Sequence, residues 1–247
     1  METVGPTIAV IPTRMGSTRF PGKPLADETG WPMVRHVCAR AAEASTVDEV
    51  IVATDDQRIF EAVEDFGTRV VMTSPDHPNG TSRIAEVAEG LEAGIVVNVQ
   101  GDEPMIDPGT IDLVVRILAD DPEVPMATVA CEFAEGEDPL DPNLVKVVHD
   151  ARGRATNFSR TPLEEAGIDG NSALLRHVGL YAYRKDFLPR FAALPSTPRE
   201  TSERLEQLRA LEHGHAIAVA ECPRAHHGID TPEQYARFVK EISDLSD

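Results

Sequence analysis

Arg14, Arg19 and Lys23 share one short stretch, PTRMGSTRFPGKPL at residues 12–25, in a chain that carries 42 acidic residues against 23 basic ones. No Asp or Glu occurs from Thr3 to Ala26, although the average acidic density would place about four there. Three cations in an acid-free loop suit a small anion: Gly16 and Gly22 let backbone approach it, Ser17 and Thr18 add hydroxyls, and the three charges could neutralise a triphosphate. The loop is not a Walker A motif, because five residues separate Gly16 from Gly22 and Pro24 stands where a Ser or Thr would hold magnesium. The plainer alternative is a solvated basic turn. A second group, Asn98-Val99-Gln100-Gly101-Asp102-Glu103-Pro104, ends an apolar run with a carboxylate. Hard oxygen ligands of this kind suit Mg²⁺, which usually takes one or two carboxylates plus substrate phosphates. Asp230, in Gly228-Ile229-Asp230-Thr231-Pro232, offers another carboxylate or a helix cap.

These groups must be positioned by regular elements. The apolar runs Ile8–Ile11, Val50–Ala53, Val70–Met72 and Ile95–Val99 read as buried strands alternating with helices. Val34, Val37, Cys38 and Ala41 after Pro32 fit a helix, a second starts near Asp55 and Asp56, and a third covers Thr81–Leu91 after Pro78-Asn79-Gly80. Further strands are expected in Met126–Phe133, Val145–Val148 and His177–Tyr183. Thr197-Pro198-Arg199-Glu200 has the form of a capping box opening a late helix with the stripe Leu205, Leu208, Leu211, and Thr231-Pro232-Glu233 opens the last helix. The expected fold is α/β: one doubly wound, mostly parallel mixed sheet in a single domain over residues 1–247. In an open sheet of this type ligands sit beyond the carboxyl ends of the strands, where the basic loop and Asp102 both fall.

The net charge of −19 argues against broad contact with nucleic acid or an anionic membrane. Cys38, Cys131 and Cys222 are odd in number and far apart, so reduced thiols are expected rather than a disulfide framework or zinc ribbon, in keeping with the cytoplasm. No signal-peptide pattern and no membrane-length apolar run is read in the sequence.

Taken together the segments resemble the 3-deoxy-manno-octulosonate cytidylyltransferases, the CMP-Kdo synthetases. The resemblance runs from about Ile8 to Phe238. It rests on the loop Arg14 to Lys23, the VATDD strand end, Asp76-His77 with Gly80-Thr81, NVQGDEPMI from Asn98 to Ile106 and NLVKVV from Asn143 to Val148. Phe158-Ser159-Arg160, Arg176-His177-Val178-Gly179-Leu180-Tyr181, Leu205-Glu206-Gln207-Leu208-Arg209 and Ile229-Asp230-Thr231-Pro232-Glu233 complete it.

The resemblance implies that CTP and a 2-keto-3-deoxy sugar acid, Kdo, are joined to CMP-Kdo and pyrophosphate for lipopolysaccharide synthesis. It implies that Arg14, Arg19 and Lys23, with Ser17, hold the phosphates, that Asp102 and Asp230 ligate Mg²⁺, and that Arg83 meets the nucleotide. Lys23, Asp102, Asp230 and Arg14 would then be the catalytic set. Gln100 would lie near both substrates, and Arg160, His177, Tyr181, Glu206 and Gln207 would surround the sugar acid. CTP would occupy the half of the domain up to about residue 120. The rest would bind the sugar acid and form a homodimer.

The sequence departs from the family pattern at Ser82, where the family often has Glu. It departs again in Thr161-Pro162-Leu163, which lacks the usual Ile-Pro-aromatic segment, in a shortened connection to Arg176-His177, and in His226-His227, which reads as a solvated loop. The altered stretch after Arg160, near the sugar pocket that the resemblance implies, keeps a second reading open, a cytidylyltransferase for another acidic or aminated 2-keto sugar. A third is an inactive nucleotide-binding or dimerisation module.

Overall fold

A computed structural model describes residues 5–161, 174–225 and 228–246. Pro162-Leu163, the shortened connection that follows them, and His226-His227 lie outside the described residues. The first half alternates β1 (Thr7–Thr13), α1 (Met33–Ala42), β2 (Glu49–Thr54), α2 (Gln57–Asp65), β3 (Arg69–Met72), α3 (Gly80–Glu89), β4 (Ile95–Asn98) and α4 (Pro108–Asp120). Then follow β5 (Met126–Cys131), β6 (Lys146–His149), β7 (Ala155–Ser159), β8 (Leu175–Arg184), α5 (Phe187–Ala193), α6 (Pro198–Glu203), α7 (Gln207–Glu212), β9 (Ile217–Glu221) and α8 (Pro232–Ser246).

The nine strands among the described residues form one sheet in the order β3-β2-β1-β4-β8-β5-β9, with β6 pairing β7 and β8 off that path. Along the path β8 alone opposes its neighbours, antiparallel to both β4 and β5, and the other strands run parallel. The chain leaves β1 for β2 on one side and returns to place β4 on the other. The crevice between the carboxyl ends of β1 and β4 is therefore the switch point at which open α/β sheets take ligands.

The alternation of side chains along each strand supplies both faces. Ala9, Ile11, Val52 and Val97 pack with Val37 of α1, Val63 of α2 and Val114 of α4 on one side. Ile8, Val10, Ile51 and Val96 pack with Ile84 of α3, Phe191 of α5 and Leu208 of α7 on the other. A third cluster joins Met33 to Ile229, Tyr235 and Phe238, with Phe20 packed against it. It presses the C-terminal helix onto the basic loop, where Phe20 and Tyr235 lie ring to ring at 5.4 Å and the Glu28 amide donates to the Tyr235 hydroxyl.

Local chemistry explains the helix starts. Asp56 accepts from the Arg58 amide at α2, Asn79 from the Ser82 amide at α3, and Asp107 from the Gly109 amide at α4. The Thr197 capping box forms with Glu200. The single late helix expected from Leu205, Leu208 and Leu211 is instead two short ones. The chain turns at Arg204 (φ 54) between α6 and α7, and this lets Leu205 and Leu208 bury while α6 buries nothing. The strand expected to reach Phe133 stops at Cys131, and β7 and β9 are strands beyond those expected.

Candidate active site

A cleft of about 490 Å³ opens at the switch point, lined by Arg14, Ser17, Arg19, Lys23, Arg83, Gln100, Asp102 and Asp230. These are every residue expected at the nucleotide and the metal. β1 brings Thr13 to the cleft and Arg14 follows it; beyond them Gly22 (φ 75) turns the loop back, and Lys23 begins a short 3-10 turn. The Ser17 hydroxyl accepts the Phe20 amide at 3.2 Å, which closes the loop and leaves the hydroxyl proton free to donate. Arg14 is exposed on the cleft wall.

Lys23 is the centre of the arrangement. Its ammonium donates to Asp102 Oδ2 at 2.8 Å, to the Ile229 carbonyl at 2.8 Å and to Asp230 Oδ1 at 3.3 Å, and Arg19 pairs with the other Asp230 oxygen at 2.9 Å. Both carboxylates thus lie within 3.3 Å of one nitrogen, and these two oxygens can be no farther apart than the sum of the two contacts. Thr231, not Asp230, caps α8: its hydroxyl accepts the Gln234 amide at 3.3 Å, and the Gln234 side chain accepts the Asp230 and Thr231 amides. The Asp230 carboxylate therefore faces the cleft rather than capping α8. Among the described residues no group of three or more His, Cys, Asp or Glu could hold a metal. The pair Asp102 and Asp230 is a two-carboxylate set of hard oxygens whose charge Lys23 and Arg19 now balance. That set fits Mg²⁺, which completes its shell with water and phosphate.

Gly101 has a role the sequence did not reveal. A Cβ there would stand 2.9 Å from the Pro12 carbonyl and 3.0 Å from Thr13 Oγ1, so only glycine lets the Asp102 turn close against the end of β1. Arg83 is buried and held from behind, its guanidinium donating to Asp55 Oδ2 at 2.8 Å and to Thr73 Oγ1 at 2.5 Å. Of the two aspartates ending β2, Asp56 caps and Asp55 clamps Arg83. On the same rim, His77 pairs with Glu86.

A second cavity of about 250 Å³ is lined by Asn143, Arg160, Arg176, His177, Tyr181 and Gln207, among others. It brings together four of the residues expected at the sugar acid. Gln100 marks the seam between the two spaces: it lines the first cleft, and its amide donates to the carbonyl of Gly179, which lines the second, at 3.4 Å. Arg160 is fixed by its Nε on the Glu203 carbonyl and its Nη1 on the Pro142 carbonyl. Burial, and then the Arg160 charge, push the His177 pKa down to about 3, so the imidazole is neutral. Burial raises the Tyr181 phenol well above its ordinary value, and it stays protonated. Gln207 is buried, and its Nε2 donor has no hydrogen-bond partner among the described residues, a group in the wall of a cavity that awaits an acceptor.

Glu206 stands apart from this cavity. It accepts from Asn79 Nδ2 at 2.8 Å, Thr81 Oγ1 at 2.7 Å and Arg209 Nη2 at 2.5 Å, and it lines a neighbouring hollow with Asn79 and Arg204. It joins α7 to the start of α3, whose Asn79 and Gly80 line the first cleft. Burial raises its pKa.

Two supports went unread in the sequence. Arg176, paired with Glu137, lines the second cavity. Lys146 is wholly buried, with its ammonium on the Asp141 and Arg160 carbonyls at 3.1 and 2.7 Å, and so ties two walls of that cavity together. A lysine inside the apolar run of NLVKVV was the available signal, since a buried ammonium requires partners.

Residues 8–217 match the cytidylyltransferase family. The chain is 50% identical to the 3-deoxy-manno-octulosonate cytidylyltransferase of Syntrophotalea carbinolica, covering 96% of this chain and 98% of that protein. It is 49% identical to the same enzyme of Geobacter sulfurreducens, covering 95% and 98%. A solved CMP:2-keto-3-deoxy-manno-octonic acid synthetase complexed with CTP superposes with a TM-score of 0.90 at 41% identity, covering 97% of this chain and 99% of that one. A cytidylyltransferase from Leptospira borgpetersenii, at 18% identity and a TM-score of 0.63, shares the fold. With the motifs in register from the basic loop to the last helix, the chain belongs to the cytidylyltransferase family, among the 3-deoxy-manno-octulosonate cytidylyltransferases.

Proposed function

We propose that this chain transfers the cytidylyl group of CTP to the anomeric hydroxyl of Kdo, giving CMP-Kdo and pyrophosphate for lipopolysaccharide or a related surface glycan. The observation that carries the reading is the pair of joined spaces. A cleft with cations and two converging carboxylates meets, across Gln100, a cavity with two arginines, a neutral imidazole and a phenol. The relatives' names and the CTP complex of the structural neighbour support it.

In this reading Arg14, Arg19 and Lys23 receive the triphosphate and Arg83 meets the nucleoside part. Arg160 and Arg176 receive the sugar carboxylate, and His177, Tyr181 and Gln207 its hydroxyls. The anomeric oxygen bonds to the α-phosphorus as the bond to pyrophosphate breaks, and the hydroxyl proton passes to water. No covalent enzyme intermediate is needed. The protein contributes position and charge: the Gln100 seam sets the two substrates edge to edge, and the loop cations meet the charge that grows on the leaving pyrophosphate. Two carboxylates beside a triphosphate repel it unless a divalent cation is shared, which favours Mg²⁺ between Asp102 and Asp230. When bound there, Mg²⁺ would offset phosphate charge and help orient the triphosphate. The reading includes a homodimer, from the family resemblance, and the cytoplasm, with which three free buried thiols agree. Among the described residues no helix is long and apolar enough to cross a membrane.

The test is pyrophosphate release from CTP and Mg²⁺ with a panel of 2-keto sugar acids, with sedimentation for the dimer. Kdo is expected to be the preferred acceptor. Preference for another or an aminated acid would move the assignment to that acceptor, and no release with any acid would leave a nucleotide-binding module.

A further inference from the structure

Thr128 lies on β5, wholly buried, at an irregularity of the sheet. The register pairs Thr128 with Tyr181 and then Val129 with Val178, so Gly179 and Leu180 of β8 have no register partner on β5. A bulge of this kind re-aims side chains and frees backbone groups. Here the Thr128 hydroxyl collects them: Oγ1 lies 2.8 Å from the Leu180 carbonyl and 3.3 Å from the Val178 carbonyl, and 2.9 Å from Nε2 of His177. A hydroxyl has one proton and two lone pairs. Carbonyls only accept, so the proton goes to Leu180, the nearer one, and Oγ1 faces the imidazole as an acceptor.

We infer that Thr128 is a positioning residue that holds His177 as the Nε2–H tautomer, so that its bare Nδ1 accepts a hydrogen bond from a hydroxyl of the sugar-acid substrate. Three observations converge on this. His177 lines the second cavity, and its ring meets Thr128 through Nε2, which leaves Nδ1 as the nitrogen to present to a ligand. The ring is braced by the edge contact with Phe158 at 5.1 Å and by Tyr181 at 5.5 Å, which hold the orientation that the threonine selects. The cations Arg160 and Arg176 and the amide donor of Gln207 on the cavity wall suit a carboxylate and oxygen acceptors, so an imidazole acceptor adds to the Tyr181 hydroxyl and the Asn143 side-chain carbonyl as a partner for a substrate hydroxyl. An imidazolium, or the Nδ1–H tautomer, would present a donor there instead. The same bulge aims the Gly179 carbonyl at Gln100, so one irregularity in β8 sets both the tautomer and the seam between the substrates. This inference rests on the sugar-acid reading of the cavity for its ligand, but its tautomer half does not.

The experiment uses the full chain labelled with ¹⁵N-histidine. Long-range ¹H–¹⁵N spectra, assigned with His177→Gln, are expected to show His177 in the Nε2–H form. Thr128→Val, which keeps the shape and removes the hydroxyl, is expected to shift it toward the Nδ1–H form and to raise the KM for the sugar acid roughly five- to tenfold, with the KM for CTP within twofold. Thr128→Ser is expected to restore both. An Nδ1–H tautomer in the unaltered protein overturns the inference by itself, whether or not Thr128→Val folds. So does an unchanged tautomer in folded Thr128→Val, or a changed tautomer with an unchanged sugar-acid KM. If no acid in the panel is turned over, the sugar-acid reading fails and the Nδ1 assignment falls with it, while the spectra still decide what sets the tautomer.

Discussion

Lys23→Met separates a structural from a catalytic role for the central ammonium. In the free protein Lys23 makes three contacts, to Asp102, Asp230 and the Ile229 carbonyl, and is 12% exposed, whereas the two carboxylates are 32% and 38% exposed. Water can reach both carboxylates when the ammonium is gone, so the folding cost is screened to about 1 kcal/mol, a fall of roughly 2–4 °C in Tm for a chain of this size. In the proposed CTP complex the same nitrogen would be a charge-assisted phosphate contact worth about 1.5–3 kcal/mol, more if it strengthens as charge develops on the leaving group. At 1.36 kcal/mol per factor of ten, kcat/KM for CTP should fall roughly ten- to 150-fold. The removal also leaves two converging carboxylates with less compensating charge, so Mg²⁺ or Mn²⁺ should bind the variant more tightly than the parent in the absence of nucleotide. The assays are pyrophosphate release at limiting CTP, thermal melting and metal titration. A near-parental kcat/KM with a lowered Tm would refute the reasoning, because Lys23 would then be a strut for the C-terminal segment. Unchanged or weakened metal binding would show that the ammonium does not compete for the Asp102–Asp230 pair.

Asp102→Asn and Asp230→Asn should each abolish most turnover, and the double variant should lose little more, since groups acting through one ion behave as a unit; additive losses would separate them. Gly101→Ala forces a methyl to 2.9 Å from the Pro12 carbonyl and should cost about 1–3 kcal/mol, with a larger loss of kcat/KM than of Tm because the displaced turn carries Asp102; parental kinetics would show the turn has room. Lys146→Met should raise the sugar-acid KM and spare the CTP KM, as Arg160 and the Asp141 loop lose their common tie; equal effects on both substrates would make the lysine a general core support. His177, with a folded pKa of about 3 against an ordinary 6.5, binds fewer protons folded than unfolded in that window, so its contribution to stability is full above pH 6.5 and is lost as pH falls toward 3. Melting curves of His177→Gln should therefore fall less steeply than the parent's from pH 6.5 to 5; identical slopes would mean the imidazole is not held neutral by burial.

The first half of the fold was legible because its signals are local. Val50–Ala53 or Ile95–Val99 is apolar on both faces only if helices cover both, and that pattern alone implies a parallel sheet. Asn79 and Asp56 announce helix starts within three residues. The second half was less legible because its determinants are not local. β9 reads as Ile217-Ala218-Val219-Ala220, where two alanines dilute the strand signal of the two β-branched residues, and its pairing with β5 is settled by a partner some ninety residues earlier. The late helix was overread because its capping box and its leucine stripe belong to different pieces: the box opens α6, the leucines all follow the break at Arg204, and no glycine marks the turn between them.

The candidate site divides along the same line. A cation-rich loop with no acid advertises an anion by composition, and Asp102 follows a strand by sequence. That Asp230 would meet Asp102 followed only from the family resemblance, and its physical cause lies in the third cluster: Tyr235 and Phe238 seat α8 on Met33 and Phe20, and the segment before α8 must then run past Lys23. The second cavity, the proposed sugar side, depends on a bulge in β8, two residues longer than its partner requires, which no periodicity in the sequence records because an insertion of two preserves the alternation of faces. His177 and Tyr181 keep the same face on either side of it. Regular pairing would occupy the carbonyls that Thr128 and Gln100 now take. The chemistry of the second cavity is therefore a consequence of register, and a substitution that restored regular pairing between β5 and β8 would disturb the imidazole and the seam together while leaving every residue of both spaces in place.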